Sequence, residues 1–479
     1  MPKPTALVWF RNDLRVSDHA ALTAAAASGL PLLCLYILDE ESPGPRPPGG
    51  ASRWRLDRAL AALEEDLAAR GGKLHFLRGP AEELLPEVAR AAGAQKIFWS
   101  RRYGGAEIAL DARLKAALRE SGREVHSFNA ALLAEPWQVK SKSGGAFKVF
   151  TPFWRALREK IAPPALLPAP QNLVAAPWPD GAPQPLAREA LALAPAKPDW
   201  ARNFPDPDAG EAGARKRLFD LLDRKIDHYP THRDRLDFDG TSHLSAHLHF
   251  GEMSPRQIFG ATPPSGGGDK FLAELGWREF SYHLLYAHPE LSWRNFNPRF
   301  DAFPYRKDEA ALEAWRRGKT GYPLVDAALR ELWTTGFMHN RARMIAASFL
   351  TKHLLIDWRE GEKFFWDALA DADEASNAAS WQWVAGCGAD AAPYFRIFNP
   401  VLQGEKYDPD GAYVRRFRPE LAGLPAAYIH KPWSAPEAVL ARAGVRLGET
   451  YPHPIVDHDF ARRRALAALA ALAAGDTHR

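Results

Sequence analysis

Ala6-Leu-Val-Trp-Phe10, an unbroken apolar run that meets Arg11 at its end, is the first of five short runs that decide the amino-terminal architecture. The others are Pro31–Leu38, Lys73–Leu77, Lys96–Ser100 and Glu124–Phe128, each of strand length. Amphipathic stretches near Ala20–Ser28, Ser52–Arg70, Ala81–Ala92 and Ala106–Ser121 separate them. A strand that is apolar throughout is buried on both faces, and strands alternating with helices at this spacing build a parallel, doubly wound sheet. The predicted α/β unit covers residues 1–130. It holds neither G-x-G-x-x-G nor a Walker A loop, and the Gly318-Lys319-Thr320 triplet lacks the upstream glycine that phosphate cradling needs.

Downstream, ten prolines fall in the 36 residues from Pro163 to Pro198. Proline removes backbone donors and fixes φ, so residues 131–208 are expected to be an irregular connector. Residues 209–479 read as an all-α domain. Leu324, Val325, Ala328, Leu329, Leu332 and Trp333 recur at helical spacing, as do Phe364, Phe365, Ala368 and Leu369.

Composition narrows the function. The 479 residues are 46% hydrophobic and 25% charged, which excludes a chain disordered throughout. The net charge of +4 requires any nucleic-acid footprint to come from local clustering. Cys34 and Cys387 cannot build a disulfide framework and fit a reducing compartment. No targeting or membrane-spanning segment is read, so a cytoplasmic location is expected. Sixteen Trp and 25 Phe suit either a well-filled core or a flat conjugated partner.

Four clusters in the helical half could carry chemistry. Gly240-Thr-Ser-His-Leu-Ser245, following Tyr229 and Arg233, offers hydroxyls and backbone N–H groups suited to a diphosphate, and reads equally as a helix cap. In Glu274-Leu-Gly-Trp277-Arg278, helical spacing puts Glu274, Trp277 and Arg278 on one face, where they could grip a heterocyclic base or form a surface pair beside a core indole. In His339-Asn-Arg-Ala-Arg-Met344, Asn340, Arg343 and Met344 share a face while Arg341 points elsewhere, as toward a phosphate. Asp371 and Asp373, followed by Asn377, Trp381 and Trp383, are too few oxygen ligands for a hard cation and fit hydrogen bonding to a ribose or heterocycle. His243, His247 and His249 have partial zinc spacing, but no Glu-directed motif accompanies them and no metal is expected. Neither a Ser-His-Asp elbow nor a Cys-His pair is evident.

Taken in order, these segments resemble the photolyase/cryptochrome flavoprotein family, and most closely its microbial photolyases for cyclobutane pyrimidine dimers. The motifs are Val8-Trp-Phe-Arg-Asn-Asp-Leu-Arg15, Lys148-Val-Phe-Thr-Pro-Phe153, Gly240–Ser245, Trp277-Arg-Glu-Phe280, Gly318–Pro323, Met338–Arg341, Asp357–Gly361, Trp381-Gln-Trp383 and Gly388–Pro400. The resemblance implies an α/β antenna domain, a connector and a helical domain holding folded FAD. It implies a light-driven lyase acting on UV-damaged DNA, monomeric, with a photosensory cryptochrome as the alternative.

Carried over by position, Tyr229, Thr241, Ser242, His243, Leu244 and Ser245 would surround the diphosphate side of the flavin. Asn340, Arg343, Asp371, Asp373 and Asn377 would line its ribityl–isoalloxazine side. Asn377 falls where the family controls flavin N5, and a neutral amide there resembles photolyases. Glu274, Trp277, Asn340, Met344 and Trp383 would receive the flipped-out dimer, and Arg233, Arg278 and Arg341 the DNA backbone. Trp381, Trp358 and Tyr305 match the electron relay, with Tyr305 replacing the usual outer tryptophan and Trp315 or Trp333 as substitutes. Glu107 matches a folate-binding acid, which implies a methenyltetrahydrofolate antenna, with a deazaflavin as the alternative.

Overall fold

The computed structural model describes residues 4–142, 144–161, 165–391 and 395–475. Ala392, Pro393 and Tyr394 of the Gly388–Pro400 motif, and Pro163 and Pro164 of the proline-rich stretch, lie outside the described residues.

All five apolar runs form strands: β1 (Thr5–Phe10), β2 (Leu32–Leu38), β3 (Leu74–Arg78), β4 (Ala94–Ser100) and β5 (Glu124–Phe128). They pair in parallel in the order β3-β2-β1-β4-β5. The helices between them are α1 (Ala20–Ala27), α2 (Gly50–Ala68), α3 (Ala81–Ala91) and α4 (Gly105–Glu120). Every residue of β1 and β2 is buried, because helices cover both faces. Val8, Phe10 and Cys34 meet Leu60 and Leu63 of α2 on one face. Leu7, Trp9 and Leu33 meet Leu85 of α3 and Leu114 of α4 on the other. The chain runs outward from β1 to β3 and then returns to β4 beside β1. This reversal opens a crevice at the carboxyl ends of β1 and β4, the place where doubly wound sheets bind ligands.

After the sheet, α5 (Phe150–Lys160) packs Phe153 and Leu157 against Phe280 and Leu284 of α6 (Gly266–Ala287). The proline-rich stretch then returns to the sheet, bridging Ala175 to Leu32 and Leu186 to Phe76. From Gly210 onward the described residues form helices and no strand. Three of them contribute to both the largest core and the site: α7 (Asn340–Ser348), α8 (Trp358–Ala368) and α9 (Glu374–Ala385). Gly361 of α8 is required by close packing, since a Cβ there would lie 2.1 Å from the Trp381 ring of α9.

The halves are joined by buried polar contacts. Arg15 Nη1 donates to the Gly251 carbonyl at 2.9 Å, and the Ser254 hydroxyl to Asp18 at 2.6 Å. Arg55 of α2 pairs with Glu252, which also meets His247 Nδ1 at 2.5 Å. His247 therefore serves the junction. Among the described residues no group of three candidate ligands could hold a metal, and no helix is long and apolar enough to cross a membrane.

Candidate flavin and lesion site

A cavity of about 820 Å³ opens between α6, α7, α9 and the 240–245 loop. Asp373 caps α9 by accepting from Ser376 N at 2.8 Å, and His339 caps α7, placing Asn340 in its first turn. Its lining includes Tyr229, Ser242, Leu244 and Ser245, and also Asn340, Arg343, Asp371 and Asp373. Arg233, Glu274, Trp277, Arg278, Arg341, Met344 and Trp383 also line it, so residues from separate segments converge. Thr241 and His243 do not reach it. The Thr241 carbonyl accepts from Lys225 Nζ at 3.2 Å, and His243, at φ +52°, turns its ring to Asp239 at 2.8 Å. Lys225 also holds Asp239, so it clamps the loop from behind.

The electrostatics of the inner wall are fixed by pairs. Arg343 Nη2 donates to Asp371 Oδ2 at 2.8 Å, while the buried Asp371 Oδ1 has no partner within the chain. Asp373 accepts the Tyr282 hydroxyl at 2.5 Å and lies 3.5 Å from His249 Nδ1. Burial alone would raise the Asp373 carboxyl, but His249, Arg278 and Tyr282 hold it below the usual carboxylate range.

Trp277 lies flat on Phe150, with ring centroids 3.9 Å apart and an 8° interplanar angle. Trp383 is oriented by donating Nε1 to the Asp390 carbonyl at 3.0 Å. Glu274 is ion-paired with Arg233 and lies 3.3 Å from Lys270. Asn340 Nδ2 is 3.8 Å from Met344 Sδ. Arg341 reaches Asp234 at 2.7 Å and lies over the Tyr407 ring. The Nε atoms of Arg233 and Arg341 are buried and have no partner within the chain.

Arg278 lines the cavity beside Trp277 and is also engaged with backbone carbonyls. Its guanidinium donates to the Ala131 carbonyl at 2.7 Å and the Leu248 carbonyl at 3.4 Å, and covers the Tyr282 ring. It shares a helix face with Glu274, and its long side chain reaches Ala131 at the start of the connector, where a half-buried carbonyl takes a donor. Glu279 beside it is 3% exposed and is pushed up to about 7 by burial.

A deeper chamber of about 170 Å³ shares Asn340, Arg343, Met344, Asp371 and Asp373 and adds Asn377 and Trp381. Asn377 Nδ2 donates to the Glu362 carbonyl at 3.0 Å and to Glu362 Oε1 at 2.8 Å, leaving Oδ1 as the amide's free acceptor. Trp358 is fully buried and donates Nε1 to Asn295 at 2.8 Å; Tyr305 is half-buried against Phe303. A second aromatic path leaves Trp381. Trp315 lies 6.2 Å away and meets Phe364 at 5.5 Å, and Phe364 meets the exposed Trp333 at 5.8 Å.

Glu107 lines a separate cleft of about 160 Å³ at the β1/β4 reversal, together with Trp9, Arg11, Arg46, Arg102 and Glu374. It pairs with Arg102 at 3.4 Å and accepts from Gly104 N. Burial, with Glu107 and Asp373 nearby, pushes Glu374 up to about 7. Sequence reasoning missed Lys225 and Glu362, whose partners lie 16 and 15 residues away without a shared motif. Phe150 was within reach, inside the Lys148–Phe153 motif.

Residues 6–171 match the family model described as DNA photolyase, and residues 271–471 the one described as FAD binding domain of DNA photolyase. The chain belongs to the DNA photolyase family. A deoxyribodipyrimidine photo-lyase of Agrobacterium fabrum is 51% identical over 97% of this chain and 98% of its own length. A bacterial class III photolyase structure from Agrobacterium tumefaciens superposes with a TM-score of 0.93 at 50% identity, covering 98% of both chains. Cryptochrome-1 of Arabidopsis thaliana is 39% identical over 97% of this chain and 70% of its own length. The photolyase FAD model spans α6 to α9, the helices that wall the cavity. The cavity lies in the roughly 300–1,000 Å³ range of ligand pockets, and Asp371, whose buried Oδ1 has no partner within the chain, is among its lining residues. These residues fit FAD.

Proposed function

We propose that the chain is a light-driven DNA repair enzyme that splits cyclobutane pyrimidine dimers with FADH⁻ as its cofactor. The observation that carries this reading is the convergence of Trp277, Trp383, Glu274 and Asn340 on the cavity whose inner chamber ends at the Asn377 amide. FADH⁻, when held there, would supply under blue light the electron that opens the dimer and would take it back. The chain's own groups bind, orient and exclude water. Ser242, Leu244 and Ser245 take the diphosphate side, and Arg343, Asp371 and Asp373 the other. Asn377, whose Nδ2 is taken by Glu362, would present its Oδ1 acceptor to the flavin.

A dimer flipped from the duplex costs less than a sound base, because its stacking is already broken. Trp277 and Trp383 pack against its apolar faces. Glu274 and Asn340 hydrogen-bond its polar edges, and Met344 fills the remaining space. Arg233 and Arg341 exchange Glu274 and Asp234 for backbone phosphates, giving salt-sensitive binding despite the small net charge. Trp381 starts the relay that reduces oxidised flavin, through Trp358 and Tyr305 or through Trp315 and Trp333. Glu107 and the cleft around it take the antenna, methenyltetrahydrofolate or a deazaflavin. The chain works as a cytoplasmic monomer with an antenna domain at 1–130, a connector at 131–208 and a FAD-binding domain at 209–479.

Binding to UV-irradiated and intact duplex, compared at one salt concentration, tests the reading. Repair predicts strong preference for irradiated DNA. Equal binding with flavin bound would favour a photoreceptor, the role suggested by likeness to Cryptochrome-1.

A further inference from the structure

Asp390, on the loop that follows α9, touches the supports of both indoles in the cavity. The loop is fastened first to the end of α9. Gly386 N, Cys387 N and Gly388 N all donate to the Gln382 carbonyl, at 2.9, 3.1 and 3.0 Å, and a Cβ at Gly388 would lie 2.7 Å from Trp383 N. Asp390, at φ +51°, then lies with its carbonyl accepting Trp383 Nε1 at 3.0 Å. Its N–H donates to the Lys148 carbonyl at 3.1 Å, and its Oδ2 accepts from Phe150 N at 3.2 Å. Phe150 is the first residue of α5, and Val149 before it has no side-chain oxygen to offer the open N–H groups of that helix end. The Asp390 carboxylate therefore caps α5 from 240 residues away. Phe150 in turn carries Trp277 flat on its ring at 3.9 Å, and Phe280 meets Trp277 edge-on at 5.9 Å.

We propose that Asp390 is a positioning residue for lesion recognition, setting the separation and tilt of Trp277 and Trp383 by holding one through Phe150 and the other directly. The inference rests on the lesion-pocket reading above. Two fused pyrimidines form a rigid body, so indoles already held at the matching spacing bind it without a further ordering cost. A carboxylate suits the amino end of a helix by charge as well as by accepting its N–H. Aspartate also tolerates the left-handed backbone that most side chains resist. The bond to the Lys148 carbonyl uses only the Asp390 backbone and ends two residues before Phe150. It keeps the loop against the start of α5 and leaves the Phe150 N–H to the carboxylate. Without that carboxylate the Phe150 ring is free to shift, and Trp277 shifts with it. The arginines proposed for the phosphates, Arg233 and Arg341, stand apart from this linkage, so undamaged DNA should not sense the change.

The test is the ratio of affinities for a dimer-containing and an undamaged duplex, measured with FAD-loaded, full-length protein. Asp390→Gly keeps the backbone bonds and allows the same φ while removing the carboxylate. It should lower the ratio roughly fivefold by weakening binding to the dimer alone, with FAD content unchanged. Asp390→Asn, whose Oδ1 can accept from Phe150 N, should restore most of the preference. Phe150→Leu removes the flat support without touching the loop and should lower the ratio as well. Asp390→Gly added to Phe150→Leu should then cost less than it does alone, because both act through one ring. Asp308→Ala is the control: it removes a comparable cap, on Ala311 N at 3.0 Å and outside the cavity lining, and should leave the ratio unchanged. A wild-type ratio in Asp390→Gly or in Phe150→Leu, full additivity between them, no recovery in Asp390→Asn, or an equal fall in Asp308→Ala overturns the proposal. Wild-type protein with no preference for the dimer would overturn the functional reading itself.

Discussion

Replacing Trp277 with alanine removes one wall of the proposed lesion pocket and leaves the flavin side intact. One face of the indole is already covered by Phe150 at 3.9 Å, so a single face remains for a pyrimidine. The expected loss is therefore that of one base–aromatic stack, about 1–3 kcal/mol. At about 1.4 kcal/mol per tenfold, this weakens binding to a dimer-containing oligonucleotide roughly 5- to 150-fold. The Phe150 pair is lost as well, a cost of about 0.5–1.5 kcal/mol to folding beyond the area exposed. Phe280 and Leu284 still anchor α6 to α5, so the variant should fold and bind FAD. Fluorescence anisotropy with damaged and undamaged duplexes reads the first effect, and flavin absorbance per protein reads the second. Unchanged affinity for the dimer, or a variant that loses FAD, would refute the reasoning by making Trp277 a core or cofactor residue.

Arg341→Gln should weaken binding to damaged and undamaged DNA alike and lower the slope of log K against log salt by about 0.9, as expected for one phosphate contact. An unchanged slope would leave Arg341 with Asp234. Trp381→Phe should block photoreduction of oxidised flavin while sparing repair by chemically reduced protein. Comparing Tyr305→Phe with Trp333→Phe then identifies the outer donor, because only the variant on the working path should slow photoreduction. Glu279 supplies a pH signature. Its carboxyl titrates near 7 in the folded chain against an ordinary 4.5, so its contribution is full below about pH 4.5 and is lost as pH rises through 7. Melting of Glu279→Gln should therefore gain on wild type between pH 5 and pH 8, and a constant gap would contradict that assignment.

The sheet was legible because its signal is local. Leu32–Leu38 is apolar at every position, and turn residues bracket each run, so strand type and order follow from windows of a few residues. The site was legible as segments because Glu274, Trp277, Asn340 and Asp373 sit in dense polar–aromatic motifs. The partners of individual side chains were not. Helical spacing gave Arg278 the same face as Glu274, and both line the cavity, but the carbonyls its guanidinium binds, at Ala131 and Leu248, are distant in sequence. Likewise, His243 shares the hydroxyl-rich loop yet turns away from the cavity because Asp239, four residues earlier, takes its ring. Glu362 was invisible for a related reason. A buried carboxylate that orients an amide has no periodicity to read, and its cation, Arg46, lies 316 residues away.

The most direct test of the central claim is a repair assay. Purified protein, reduced chemically without oxygen, is mixed with an oligonucleotide carrying one thymine dimer and then kept dark or given blue light. The account predicts dimer loss only in the light. Persistent dimers in both samples, with reduced flavin bound, would contradict it.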